Sequence, residues 1–98
     1  MSARWVHADV VPLRDDSGEL TGRARARGHF HDRVEWVAPR RESVAEAELD
    51  VKRLHEHGVT KFRVVMLRRS FSVWAADAES ACEIAHQQWG EWPVEVTS

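Results

Sequence analysis

Arginine stands at positions 23, 25 and 27 and returns at 33, with His29 and His31 completing a row of alternate residues. Guanidinium forks at that spacing can grip carboxylates or phosphates in a bidentate way. The imidazoles add proton transfer or metal ligation. The intervening positions are Ala24, Ala26, Gly28, Phe30, Asp32, Val34, Trp36 and Ala38. Only Asp32 interrupts that apolar row, and Val37 softens the polar one. A period of two over residues 23–38 predicts one long strand with a core face and an outward face.

Metal chemistry is the second reading of the same stretch. His29-x-His31 lies on one strand face, and His55-x-His57 closes a predicted helix. A helix that follows a strand runs back antiparallel, so both pairs point to one pole. Residues two apart on a helix face different ways, so only one of His55 and His57 can join. His29, His31 and His57 are the candidate ligands, with Asp32 or Glu56 as an oxygen donor for zinc or another borderline ion. The bland reading is histidine placed against a helix C-terminal dipole. On balance no cofactor or metal is expected.

Catalysis has weaker support. Asp32, at an inward position between two histidines, would be a base with a raised pKa if buried. Against this, a bulge at Gly28 would turn Asp32 outward onto an arginine. No nucleophile–base pair or glycine-rich phosphate loop is present. The single cysteine, Cys82, lies on an apolar helical stripe and reads as an inert thiol, and it can form no disulfide within the chain. A non-enzymatic role is expected, and no catalytic residue is assigned.

The elements that position these side chains follow from the local pattern. Residues 4–13 alternate, with Val6, Ala8 and Val10 on one side and Trp5, His7, Asp9 and Val11 on the other. Arg14-Asp15-Asp16-Ser17-Gly18-Glu19 has turn composition, so the first two strands form a hairpin. Ser43-x-x-Glu46 is a capping box, and Val44, Ala47, Val51 and Leu54 make the stripe of a helix ended by Gly58. Residues 60–68 and 71–76 read as strands with Phe62, Val64, Met66, Phe71, Val73 and Ala75 inward. The change of parity between them fits a hairpin near Arg68-Arg69-Ser70, or a bulge in one strand; the hairpin is preferred. Asp77 caps a second helix running to Trp89, Gly90 ends it, and Val94-Glu95-Val96 is a last strand.

The predicted order is β-β-α-β-β-α-β, an α+β fold. From residue 28 it is the ferredoxin-like split βαβ pattern with an extra N-terminal strand, giving an antiparallel sheet with two helices on one face. Residues 1–98 form a single domain, with 1–27 a hairpin extension and 28–98 the βαββαβ core. The size supports one modest core. The content is 43% hydrophobic and 31% charged, and the net charge is −2. That balance speaks against a dedicated nucleic-acid binder. Arginine outnumbers lysine 12 to 2, and five Trp stand beside no Tyr, a bias in which genomic composition has a share. No signal-peptide core or membrane span is legible, so a cytoplasmic protein with no membrane partner is expected.

The expected site is therefore the open sheet face. Arg23, Arg25, Arg27 and Arg33 sit there, with Trp5 and Trp74 beside them by parity. The outer faces of the helices carry Glu42, Glu46, Asp50, Glu79 and Glu83, which makes the molecule charge-polarised. The leading expectation is a small binding or regulatory protein that docks this Arg/Trp face on an acidic protein partner or on itself as a homodimer. The alternatives are a nucleic-acid module using the same face, or a small ferredoxin-like enzyme or metal-binding protein using the pole of His29, His31, His55 and His57.

Overall fold

A computed structural model of the chain describes residues 5–98. Arg4, the first residue of the strand expected over 4–13, lies outside them. Six strands and two helices follow in the order β1 (Trp5–Arg14), β2 (Leu20–Phe30), β3 (Val34–Arg41), α1 (Val44–His57), β4 (Thr60–Val65), β5 (Ser70–Ala75), α2 (Ala78–Trp89) and β6 (Glu95–Thr97). The fold is α+β, roughly the split βαβ arrangement, and its strands form two antiparallel three-stranded sheets, β1-β2-β3 and β5-β4-β6.

Most of the punctuation expected locally is present. In the first turn Asp15 Oδ1 accepts from the Ser17 and Glu19 amides at 2.9 and 3.0 Å. Gly18 supplies the positive φ of 88° that an L side chain resists. Ser43 caps α1 by accepting from the Glu46 amide at 3.2 Å. Glu46 reaches back one residue further than a capping box requires, to the Glu42 amide at 3.1 Å. Asp77 caps α2 through the Ser80 amide at 2.8 Å. Residues 60–75 are a hairpin, closed where the Met66 amide donates to the Arg69 carbonyl at 2.7 Å.

The long strand expected over 23–38 is two strands. His31, Asp32 and Arg33 turn the chain, and the Phe30 amide donates to the Arg33 carbonyl at 2.9 Å. The division drawn between residues 27 and 28 falls inside β2. The turn contains no Gly or Asn, which is why turn chemistry did not reveal it. Its one trace was Asp32, the polar interruption of the apolar row. Parity is reset beyond it: Val37 is 0% exposed, whereas Val34 and Trp36 are 51% and 41% exposed.

Two apolar clusters hold the molecule. Ala8, Ala26, Phe30, Val37 and Ala38 of the first sheet pack with Leu54 of α1, and Trp5 and Trp74 close over them. Phe62, Val64 and Met66 pack with Ala75 and with Ala81, Ile84 and Ala85 of α2. Alanines at the strand–helix contact let the layers approach closely. Within the first sheet Gly28 makes room for its neighbours: a Cβ there would lie 2.6 Å from Val37 Cγ1 on β3 and 3.1 Å from the Trp5 ring on β1. Rings bridge the two sheets, with the centroids of Phe30 on β2 and Trp74 on β5 5.4 Å apart.

Candidate functional site

The alternation in β2 survives intact, with Ala24, Ala26, Gly28 and Phe30 buried and Arg25, Arg27 and His29 half-buried on the other side. Register builds the rest of this outer face. β1 places Val11, Asp9 and His7 opposite Arg25, Arg27 and His29. β3 places Arg40, Trp36 and Val34 opposite the same three. Of the expected site residues, Arg25 and Arg27 occupy this face and Arg23 and Arg33 lie at its two ends.

Trp5 and Trp74 are not brought to it. A register shift between Trp5 and His7 makes Val6 an extra, exposed residue and returns Trp5 to the core side, opposite Phe30. The Ala8 amide beside this irregularity donates to His55 Nε2 at 3.1 Å, and the His55 ring lies against Trp5. Trp74 packs on Phe30, with Lys61 Nζ 5.9 Å from its centroid. The aromatic residue of the outer face is Trp36, which the unbroken-strand reading had turned inward.

Electrostatics divides the arginines. Arg27 makes a two-armed contact with Asp9, at 3.2 and 2.9 Å, which holds the Asp9 carboxyl below its ordinary range. Arg23 pairs with Glu42 at 3.4 Å. Arg33 pairs with Asp32 at 3.0 Å and Glu35 at 3.1 Å, and its guanidinium lies over the Phe30 ring. Arg25 and Arg40 have no carboxylate partner among the described residues. They are direct cross-strand neighbours, a placement that repels.

Arg25 is fixed by the local backbone. The β2–β3 ladder shifts register between Arg25 and Arg27, and Pro39, which has no amide to pair, sits in that irregular stretch. The Ala38 carbonyl there accepts from Arg25 Nε at 2.6 Å, and the guanidinium rests 5.0 Å from the Trp36 centroid. Burial, and then Arg40, lowers its pKa to about 10. Both terminal nitrogens of Arg25 lack an acceptor among the described residues. They border a cleft of about 660 Å³ lined by Trp36, Val34, Glu35, Arg40, Val73 of β5, and Ile84, Gln87 and Gln88 of α2. Gln87 bonds the Arg40 backbone at 2.6 and 2.9 Å, tying α2 to the end of β3.

The histidines do not converge. His7 and His29 stack on the outer face at 4.3 Å, with His29 Nε2 3.1 Å from Asp9 Oδ2 but making no hydrogen bond. His55 lies against Trp5, His31 is in the exposed turn, and His57 is exposed beside Glu56. Among the described residues no three His, Cys, Asp or Glu side chains gather as a metal would need. Asp32 is exposed and paired with Arg33; the turn, rather than a bulge at Gly28, carries it outward. Cys82 is a half-buried free thiol.

The acidic helix layer is partly consumed inside the molecule. Asp50 is buried on α1 and bonds Arg41 through both oxygens at 2.7 and 3.0 Å, and Glu83 of α2 takes the same guanidinium at 2.9 Å. Asp50, expected outside, is thus the inner anchor of β3.

No described helix is long and apolar enough to cross a membrane. No protein-family model, curated protein or solved structure matches the chain. The outer face of the first sheet, with the cleft beside it, is the candidate site on physical grounds alone.

Proposed function

We propose that the protein is a small binding or regulatory module that docks the outer face of its first sheet on an acidic protein partner. The observation that carries this is the grouping of exposed Val34 and Trp36 with two arginines that have no acid of their own. Trp and Arg around a desolvated centre are the typical anchors of protein interfaces. A phosphate backbone would ask for a track of free cations. Here Arg23, Arg27 and Arg33 are each matched by a carboxylate at 3.4 Å or less, so little net charge is left for such a track.

The test is affinity capture from the native host with the wild-type chain and with V34D/W36A, both substitutions at exposed positions. Wild type should enrich acidic proteins that the double variant loses, while the variant keeps its thermal midpoint within a few degrees. Identical capture by both chains would refute the reading, and capture abolished by nuclease would replace it with nucleic-acid binding. A wild-type dimer in light scattering that dissociates in the variant would identify the partner as a second copy.

A further inference from the structure

The cleft between β3, β5 and α2 has features that a flat docking face does not need. β3 and β5 are end strands of their own sheets, so their outer edges have no ladder partner among the described residues. Gln87 closes on the edge of β3 only at Arg40. The walls alternate in chemistry, with the apolar surfaces of Val34, Trp36 and Val73 beside the cations Arg25 and Arg40. Arg25 is held at Nε by the Ala38 carbonyl and lies over the Trp36 ring, and its two terminal nitrogens have no acceptor among the described residues. A guanidinium immobilised in this way loses little entropy on binding. Opposing like charges across a ladder are unfavourable, and a shared anion removes that repulsion. Glu35 also lines the cleft; it is half-buried, and its Oε2, 3.1 Å from Arg33 Nε, makes no hydrogen bond, so Arg33 offsets its charge without satisfying it.

Building on the docking reading, we infer that this cleft receives an extended acidic segment of the partner, seating one carboxylate side chain between Arg25 and Arg40. A neighbouring apolar residue of that segment lies against Trp36 and Val73. The pairing supplies charge-assisted bonds in a partly desolvated site. The strand edges supply main-chain acceptors and donors for an extended chain.

The probe is a blocked pentapeptide with a central glutamate between two valines, titrated into the isotope-labelled whole chain and followed by NMR. Its glutamine counterpart and inorganic phosphate are run beside it. The glutamate peptide should move the Arg25 Nε–H and Trp36 Nε1–H signals, and the glutamine peptide should bind about tenfold more weakly, a difference of about 1.4 kcal/mol. R40Q, at an exposed position, should weaken the glutamate peptide by a similar factor with the spectrum otherwise unchanged. Equal binding of the two peptides, or shifts confined to other surfaces, would overturn the inference. Saturation by phosphate with no response to either peptide would also overturn it and mark a small-oxyanion site. If the cleft fails while V34D/W36A still abolishes capture, the docking reading stands and only this assignment falls.

Discussion

Arg41 shows how far one residue's role depends on its neighbours. It follows Arg40 in a run of two arginines, yet Arg40 is exposed and Arg41 reaches Asp50 and Glu83 on different helices. Asp50 and Glu83 hold the Arg41 guanidinium more firmly protonated than usual, with the Asp50 hydrogen bond the larger cause. Asp50 is 4% exposed, so removing its partner strands a charge away from water. R41M should cost about 3 kcal/mol in denaturant unfolding, within the range for breaking a buried pair. R41M/D50L should recover most of that loss, because the one carboxylate it leaves unpaired, Glu83, has a side chain 27% exposed against 5% for Asp50. A double variant no better than the single would show that Glu83, not Asp50, is the partner that matters. Arg25 is the contrasting case: its Nε satisfies the backbone and its terminal nitrogens remain available.

At the scale of elements, two irregularities decide which side chains reach the outer face. The shift near Val6 withdraws Trp5, and the turn at 31–33 delivers Val34 and Trp36. The first reflects the rule that a one-residue change in strand count exchanges faces, and the second ends one strand and starts the next with the opposite parity. Gly28 sets how closely β2 approaches Val37 and Trp5. Its backbone is ordinary, so the reason for glycine is space alone. G28A should destabilise by about 1–3 kcal/mol, the usual cost of overpacking a core. G28A/V37A, which removes the Val37 methyls nearest the new Cβ, should be less impaired than the sum of its parts; additive losses in a double-mutant cycle would place the strain elsewhere.

The whole molecule is held by two apolar clusters, by the Phe30–Trp74 contact that bridges the sheets, and by ion pairs that cross elements. Asp9 pairs with Arg27 across β1 and β2, and Asp77 meets Arg53 between the helices. At Asp77 burial pushes the carboxyl up, but the Ser80 hydrogen bonds and the nearby Arg53 and Arg41 bring it net below its ordinary value. Asp9 is likewise held low, chiefly by the Arg27 hydrogen bond. Both carboxylates therefore add stability that is present above the ordinary value of 3.8 and is lost as pH falls through their lower folded values. The urea midpoint should decline on acidification below about pH 4, and D9N should show a shallower decline. An unchanged slope in D9N would mean that the Asp9–Arg27 pair is screened by solvent.

Local chemistry determined much of this protein. The caps at Ser43 and Asp77, the glycines after each helix, the Asp15–Gly18 turn and the burial of Ala24, Ala26, Phe62 and Val64 follow from interactions within a few residues, which the order of residues encodes directly. The α+β class follows from them. The unglycined turn at 31–33 and the bulge at Val6 carry no local turn signal, so a periodic pattern read through them assigned Trp36 and Trp5 to the wrong faces. Arg23, Arg25, Arg27 and Arg33 were legible as a row of cations. Arg33 meets acids one and two residues away, but for Arg23, Arg25 and Arg27 tertiary structure alone decided which meets a carboxylate, because Asp9 and Glu42 approach through strand pairing rather than through a spacing a one-dimensional pattern records. The cleft is the clearest case: its walls come from β2, β3, β5 and α2, and it exists only where two sheets meet without joining.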